Sequence, residues 1–435
     1  MKTRSLNIGL SITLFILFSC SSAKHSITPA MEIKEHLKTS DSSSKTDAFL
    51  ANLLHSYPQY FDTLLANPKI WQIQIIYTQI DRDEKNKPSF KHYYYNINPS
   101  NYYYPASTVK LPAAVLALQK LNELNIKGLD RNTTMVTEAD YPGQTSVYND
   151  PTTPDGRPTI AHYIKKILLV SDNEAFNRLY EFLGQEYLND KLAKMGYDQT
   201  QIIHRLNIAL NEEQNRHTNP VFFADTSGQV IYQQPLIRSN LSYQKRTNLL
   251  GVGYYSDDKL VHKPFDFSMK NRLTLIDLHS ILQSVLFPND VPQKQRFQLT
   301  ADDYQFLYNY MSMYPKESVF PSFDSTHNDA YVKFLLYGSK DPVNPNIRVF
   351  NKVGDAYGFL IDAAYIVDFE NNIEFLLSAV IHCNSDGIYN DDKYDYDQVG
   401  FPFMKHLGEV IYGYEKTRVR KHLPDLTSFK MNYGQ

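Results

Sequence analysis

A serine and a lysine lie three residues apart where an apolar segment begins, in the stretch YYYPASTVKLPAAVLALQKL from Tyr102 to Leu121. Residues spaced by three on a helix share one face, so Ser107 and Lys110 are predicted to be neighbours. An apolar environment lowers the pKa of an ammonium group, and a neutral amine beside a hydroxyl can accept its proton and create a nucleophile. The simpler alternative is a helix-capping serine followed by a solvated lysine, because such pairs are common.

Three polar residues, Ser171, Asp172 and Asn173, interrupt a second apolar pattern in the stretch LLVSDNEAF. As a purely structural feature they would form a capping turn that begins the next helix, with Glu174 in its first turn. As part of a site, the serine hydroxyl would face a cleft and relay a proton to a leaving group. The asparagine would then hold an amide carbonyl of the substrate.

A third group, Lys352, Val353 and Gly354, lies at the end of a predicted strand. The lysine would direct a positive charge into a cleft, and the glycine would let a substrate approach the strand edge closely. On its own, the triplet is more typical of an exposed strand lysine followed by a turn glycine.

The elements that must position these residues are indicated by changes in the hydrophobic period. Alternating patterns predict a hairpin of two early strands, within residues 71–81 and 90–97, and three late strands in RVFNKVG, GFLIDAAYIVDF and NIEFLLSAVIHC. Residues 111–340 are predicted to be mainly helical, with a polar insertion at about 222–267 that contains strand-like pieces such as QVIYQQPLI. Because hairpins dominate, we expect an α/β (α+β) sandwich, in which a mostly antiparallel five-stranded sheet is flanked by helices and carries an inserted all-helical domain. The natural cleft lies between the two lobes.

The three groups occur in the order S-x-x-K, S-D-N and K-x-G, with 64 residues from Ser107 to Ser171 and 181 from Ser171 to Lys352. In this order, and on these elements, they resemble the penicillin-recognising serine enzymes, and most closely the class A β-lactamases. The resemblance covers nearly all of residues 46–415 and includes the local text PASTVKLPAAVLAL and NKVGDAYGFLIDAAYIVDF. It implies a β-lactamase/transpeptidase-like fold, with an all-α domain inserted into an α/β sandwich.

The resemblance also implies a set of catalytic residues. Ser107 would be the nucleophile that forms an acyl-enzyme, and Lys110 would activate it. Ser171 would pass a proton to the leaving nitrogen, with electrostatic assistance from Lys352.

The same resemblance assigns substrate binding to Asn173, Lys352, Gly354 and Asp355. Asn173 would orient the substrate, and the backbone N–H groups of Ser107 and Asp355 would hold the oxyanion. No metal or organic cofactor is implied. The implied partner is a small molecule, either a β-lactam or a substrate derived from the cell wall, and we expect a monomer.

Two departures from the family pattern bear on the substrate and on turnover. The middle of the K-x-G group usually carries a hydroxyl that helps to bind a substrate carboxylate, whereas this chain has Val353. The class A motif E-x-x-L-N supplies a glutamate for deacylation, but the Leu-Asn pairs at 206–207 and 210–211 follow no acidic residue at that spacing. Glu212 and Glu213, just beyond, are candidates for a base on a shifted loop. Without such a base the acyl-enzyme would turn over slowly, as in penicillin-binding proteins.

Three functions therefore stay open. The leading hypothesis is a class A-type serine hydrolase that hydrolyses the amide bond of β-lactams through an acyl-enzyme. The second is a slow peptidase or esterase resembling penicillin-binding proteins, and the third is a non-catalytic binding protein of the same fold. A protein that only binds its ligand need not keep all the catalytic side chains. The third function is therefore disfavoured by the presence of Ser107, Lys110, Ser171, Asn173 and Lys352.

The N-terminal residues predict export. Residues 1–20 combine a basic start with a short apolar segment and end in LFSC, which resembles the lipobox of bacterial lipoproteins, so Cys20 would carry the lipid. An ordinary secretory signal with an incidental cysteine is the alternative. The serine-rich residues 21–45 would tether a catalytic domain at 46–415, followed by a tail at 416–435. We expect a lipoprotein held to a membrane by its lipid alone and facing the periplasm or the cell surface.

The composition argues against one class of partner. A formal net charge of −3 gives no electrostatic footprint for nucleic acid. The one cysteine outside the signal segment, Cys383, lies in an apolar strand pattern and is expected to be a buried, inert thiol.

Overall fold

The structure, a computed structural model, describes residues 44–433 of the chain. The predicted signal segment, the candidate lipidation residue Cys20 and nearly all of the tether predicted at 21–45 lie outside the described residues. Within the described part, no helix is both long enough and apolar enough to cross a membrane.

The helices of residues 44–433 are α1 (Ala48–His55), α2 (Pro58–Leu65), α3 (Pro68–Trp71), α4 (Lys110–Leu124), α5 (Ile160–Val170), α6 (Asn173–Leu183), α7 (Gln185–Lys194), α8 (Glu212–Arg216), α9 (Leu275–Leu286), α10 (Ala301–Ser312) and α11 (Phe401–Thr417). The strands are β1 (Gln74–Arg82), β2 (Pro88–Tyr95), β3 (Thr134–Thr137), β4 (His217–Thr218), β5 (Val221–Ala224), β6 (Val230–Gln234), β7 (Ile237–Arg238), β8 (Leu249–Leu250), β9 (Gly253–Ser256), β10 (Lys259–Val261), β11 (Phe265–Asp266), β12 (Ile347–Ala356), β13 (Phe359–Asp368), β14 (Ile373–His382) and β15 (Ile388–Tyr389).

One antiparallel sheet of five long strands organises the molecule, in the order β12-β13-β14-β1-β2. The early hairpin joins the late strands where β1 pairs with β14, with Gln74 opposite Val380. Strands β13 and β14 are buried along their whole length, because packed elements cover both faces of the sheet. The predicted five-stranded, mostly antiparallel sheet is confirmed.

Two hydrophobic cores lie on opposite faces of this sheet. One joins the sheet to helices α4 to α7 and α9, and includes Ile76 and Leu278. The other is covered by α1, α2 and α11, and includes Ile75 and Leu407. Neighbouring residues Ile75 and Ile76 enter different cores because side chains alternate between the two faces of a strand. The cleft opens where the helical lobe meets the β12 edge of the sheet.

The predicted all-helical lobe at 111–340 is corrected in one respect, because short strands accompany its helices. Strand β5 pairs with both β3 and β6. The segment predicted as an insertion at about 222–267 contains short paired strands, as its strand-like pieces predict. Strand β9 pairs in parallel with β15, far along the chain. The aromatic and β-branched residues of pieces such as VIYQQ and GYYS favour paired strands over helix.

The described part of the tail predicted at 416–435 packs back onto the domain. Leu426 and Phe429 are buried in the first core. The N–H of Asp425 donates to the side-chain oxygen of Asn86 at 3.0 Å, in the turn between β1 and β2. These residues therefore belong to the folded domain.

Candidate active site

Ser107 lies in a 3-10 turn, Ala106–Val109, which continues directly into α4. Ala106 has a positive φ of 46°, so the chain bends sharply just before the serine. The side chain and the N–H of Thr108 both donate to the carbonyl oxygen of Pro105, at 2.6 and 3.0 Å, and they hold this bend. The turn thereby places Ser107, partly exposed, in the wall of a cleft of about 730 Å³.

Strand β12 passes immediately beside this turn, and Gly354 is the residue that permits the approach. A Cβ atom at this position would lie 2.9 Å from the carbonyl oxygen of Pro105 and 3.0 Å from the backbone nitrogen of Ser107. A side chain would therefore push the strand and the turn apart. Gly354 is predicted from the sequence to let a substrate approach the strand edge closely. In the structure, the Ser107 turn is the element that approaches the strand at this glycine.

The side chain of Ser171 lies between two lysines. Ser171 ends α5 in a left-handed conformation, with φ 61°. Lys352 Nζ donates to Ser171 Oγ at 2.8 Å, and Lys110 Nζ lies 3.3 Å from the same oxygen. Lys110 Nζ also donates to the backbone carbonyl of Ser171 and, at 2.7 Å, to Oδ1 of Asn173. All three groups singled out in the sequence thus meet at one serine hydroxyl.

The S-D-N group is also the N-terminus of α6, as the capping interpretation predicts. The carboxylate of Asp172 caps the helix by accepting a hydrogen bond from the N–H of Ala175 at 2.7 Å. Ser171 and Asn173, on either side of the cap, line the cleft. One turn therefore fixes the helix and presents two polar side chains to the site.

Lys110 differs from the prediction in its partner. Among the described residues, no hydrogen bond joins Lys110 Nζ to the hydroxyl of Ser107, because the amine is held by acceptors on Ser171 and Asn173. Burial lowers the pKa of Lys110 well below its ordinary range, and the neighbouring charge of Lys352 lowers it further. The site therefore favours the neutral amine, which is the form that accepts a proton.

Lys352 and Asp355 place two further titratable groups on β12. Lys352 is buried, and burial lowers its pKa to about 7, against the opposing charges of Asp355 and Asp362. Its amine also donates to the carbonyl of Val353 at 2.8 Å. The side chain of Asp355 is exposed to the cleft, and desolvation between the cleft walls raises its pKa, although Lys352 and Lys110 oppose that shift.

The two glutamates considered as a deacylating base lie away from the site. Leu206 and Asn207 are among the residues that line the cleft in the described chain, whereas Glu212 and Glu213 are not. Each of these glutamates is held by an arginine on the outer surface, at 2.8 and 2.7 Å. The hypothesis that a shifted loop brings one of them into the cleft is therefore wrong for this structure.

The loop that carries Asn207 supplies no other base. The position three residues before Leu206 is Ile203, whose side chain is buried. Both ring nitrogens of His204 are engaged, Nδ1 with the carbonyl of Arg205 at 2.6 Å and Nε2 with the N–H of Asn271 at 3.0 Å. Residues 199–211 contain no acidic side chain.

Sequence reasoning missed the aromatic and acidic residues that form the outer walls of the cleft. They are Tyr104, Tyr331, Phe334, Tyr357, Asp392, Tyr394 and Phe401. The count of 33 tyrosines shows that tyrosine is abundant, but it does not indicate which residues line the cleft.

Two further features complete the site region. Within residues 44–433, no cluster of three or more His, Cys, Asp or Glu side chains is arranged to hold a metal ion. Cys383 is a buried free thiol, and burial raises its pKa, as expected of an unreactive cysteine.

Comparison with known proteins gives one family match and several similar solved structures. Residues 59–264 match the model of the beta-lactamase enzyme family. No curated protein matches the sequence. Similar solved structures include a β-lactamase from Sphaerobacter thermophilus DSM 20745, at 11% identity and a TM-score of 0.42, covering 85% of this chain and 98% of that one. They also include PBP-A, at 14% identity and a TM-score of 0.45 over 84% and 97%, and a class A β-lactamase from Clostridium kluyveri DSM 555, at 15% and 0.45 over 81% and 99%.

Residues 59–264 therefore match the beta-lactamase enzyme family in sequence, and the five-stranded antiparallel sheet with its helical lobe agrees with the fold that the resemblance to the penicillin-recognising serine enzymes implies.

Proposed function

We propose that the protein is a serine hydrolase of the β-lactamase type, which opens an amide bond, including that of a β-lactam, through an acyl-enzyme on Ser107. One observation carries this proposal. The hydroxyl of Ser171 lies between the amines of Lys110 and Lys352, and the partly exposed Ser107 lines the same cleft. That arrangement brings a nucleophile, a base and a proton donor to one cleft.

The geometry supports the following acylation step. Ser107 Oγ attacks the carbonyl carbon of the substrate, and the neutral amine of Lys110 takes the serine proton. The proton then passes to Ser171, 3.3 Å from that amine, and from Ser171 to the leaving nitrogen as the amide bond breaks. The ammonium of Lys352, 2.8 Å from Ser171 Oγ, stabilises the developing charge.

The oxyanion is proposed to bind to backbone N–H groups. Gly354 allows β12 to lie against the Ser107 turn, and the N–H groups of Ser107 and Asp355, two residues that line the cleft, are the proposed donors. The adjacent side chain of Asn173 is placed to orient the substrate amide.

Deacylation is proposed to be slow. Residues 199–211 hold no acidic side chain, and Glu212 and Glu213 face outward in ion pairs. The loop that would carry the class A base therefore offers the acyl-enzyme no carboxylate to activate water. This favours the slow, penicillin-binding-like alternative over an efficient class A β-lactamase.

A chromogenic cephalosporin and a fluorescent penicillin distinguish these functions. We expect covalent labelling by the penicillin, loss of labelling in Ser107→Ala, and cephalosporin turnover that is slow relative to labelling. Ser100→Ala, an exposed serine outside the cleft lining, serves as the matched control and should label normally. Rapid steady hydrolysis would support the class A function, and absence of both labelling and turnover in folded protein would contradict the proposal.

We also propose that Cys20 is lipidated and that the protein is exported. The LFSC pattern at the end of the apolar N-terminal segment supports this proposal. In a bacterial host, Cys20→Ser should shift the protein from the membrane fraction to the soluble fraction. Equal membrane association of both forms would contradict lipidation.

A further inference from the structure

The outer part of the cleft, beyond Lys352 along β12, has an unexpected charge. Side chains alternate along a strand, so Val353 and Asp355 point away from the face that carries Lys352 and Gly354. Val353 and Asp355 both line the cleft. This is the part of the K-x-G strand where a hydroxyl would help to bind a carboxylate, and here it presents an apolar side chain and an acidic one.

The carboxylate of Asp355 has no partner among the described residues that donates a hydrogen bond to it or forms an ion pair with it. It is nevertheless enclosed enough by the cleft that desolvation raises its pKa. Asp392, also exposed and also lining the cleft, is equally without a hydrogen bond or ion pair in the described chain. A partly desolvated carboxylate without a donor is stabilised by an incoming cation.

The walls around these carboxylates are aromatic. Tyr331, Tyr357 and Tyr394 line the cleft and are at least partly exposed, and the amine of Lys270 lies 6.0 Å from the ring centre of Tyr357. Aromatic faces attract ammonium and guanidinium groups through their quadrupoles.

The lining of the cleft within residues 44–433 contains no lysine or arginine, and Lys110 and Lys352 are buried beneath it. A carboxylate ligand at this end would therefore meet two aspartates and no cation in the lining itself.

We infer that this end of the cleft is a subsite for a cationic group of the substrate, an ammonium or a guanidinium, and that Asp355 is its specificity-determining residue. The inference rests on the proposed function in one respect, the identification of this cleft as the substrate site. The substrate class is an amide that carries a positive charge where it meets Asp355.

Equilibrium binding tests the subsite without any covalent step. The probes are two unreactive amides of matched length, the phenylacetamide of (trimethylammonio)ethylamine, which is a cation, and N-phenylacetyl-β-alanine, which is an anion. Titration of wild-type protein, followed by calorimetry or ligand-observed NMR, should give a dissociation constant at least about tenfold lower for the cation. Asp355→Asn should weaken cation binding by about tenfold and narrow the difference between the probes.

Asp258→Asn is the matched control, because Asp258 is an exposed aspartate in the β9–β10 turn and does not line the cleft. It should leave both dissociation constants unchanged. Equal or tighter binding of the anion by the wild type, or an unchanged preference in Asp355→Asn, would overturn the inference. Because neither probe acylates Ser107, these outcomes are independent of labelling by penicillin, so failure of the acyl-enzyme proposal is seen separately.

Discussion

At the scale of single residues, the central feature is one hydroxyl shared by two buried lysines. Ser107, Lys110, Ser171 and Lys352 are identified as a set from sequence because their order and spacing are specific. The sequence does not predict that Lys110 bonds to Ser171 and Asn173, because those partners come from a different helix. Burial, which shifts the pKa of both lysines, is likewise a property of the packed structure.

The charge of Lys352 predicts a pH dependence of acylation. Burial lowers the pKa of Lys352 to about 7, so its charge is present below that pH and is lost as pH rises through it. Because this charge assists Ser171, the wild-type rate constant for labelling by fluorescent penicillin should fall above about pH 7. In Lys352→Arg the guanidinium stays charged, so the fall should disappear.

The matched control for this profile is Lys340→Arg, at an exposed lysine that pairs with Asp397 on the surface. It should keep the wild-type profile. A fall near pH 7 that persists unchanged in Lys352→Arg would assign it to another group.

At the scale of elements, the site depends on how closely β12 and the Ser107 turn approach. The strand and the turn are both predictable from the sequence, the strand from its alternating pattern and the turn from its position before an apolar helix. Their contact is not predictable, because Gly354 and Ser107 are far apart in the chain. The sequence shows Gly354, but only the structure shows that this glycine allows the Ser107 turn to lie against β12.

Gly354→Ala should separate the strand from the nucleophile turn. The added Cβ would lie 2.9 Å from Pro105 O and 3.0 Å from Ser107 N, so both elements must shift. We expect a loss of roughly 1–3 kcal/mol in the free energy of unfolding in urea, as for overpacked sites. Penicillin labelling should fall more than the amount of folded protein.

Gly413→Ala provides the contrast. Gly413 lies within α11, and a Cβ there meets nothing within 4 Å, so alanine should stabilise the helix by up to about 1 kcal/mol without changing labelling. Normal labelling by Gly354→Ala would show that the close approach is unimportant for the site.

The loop that carries Asn207 is anchored to α6 by a buried ion pair. Glu181 accepts hydrogen bonds from Arg178 at 2.9 Å and from Arg205 at 3.0 Å. Glu181→Gln should lower the free energy of unfolding by about 3 kcal/mol, because the buried Arg205 loses its charge partner and Arg178 loses one of its two. Glu174→Gln, which removes an exposed partner of the same Arg178, should cost at most about 1 kcal/mol. Equal losses in urea unfolding of the two variants would contradict this assignment.

At the scale of the whole molecule, the sheet is built from both ends of the chain around an inserted lobe. The five strands are predictable because each is adjacent to a hairpin partner and alternates regularly. The join of β1 to β14 follows once the early and late strands must share one sheet. The pairing of Gly253 with Ile388 and the burial of Phe429 are not predictable, because they depend on long-range contacts of short or polar segments.

The cleft also belongs to this scale, because its walls come from separate parts of the chain. Tyr104, Tyr331 and Tyr394 line it from three distant segments. The chemistry of these walls determines which substrates bind, whereas the Ser107 and Ser171 region determines which reaction is catalysed. A persistent acyl-enzyme on Ser107 is the outcome that the Ser107 and Ser171 region supports.

Acylation of Ser107 can be measured by intact-protein mass spectrometry after mixing with benzylpenicillin. We expect a mass increase of one whole penicillin, since the opened ring stays attached, and peptide mapping should locate it on Ser107. The adduct should persist for much longer than it takes to form and should be absent in folded Ser107→Ala. No adduct on folded wild-type protein, an adduct on another residue, or an adduct that disappears as fast as it forms would contradict the proposed acyl-enzyme.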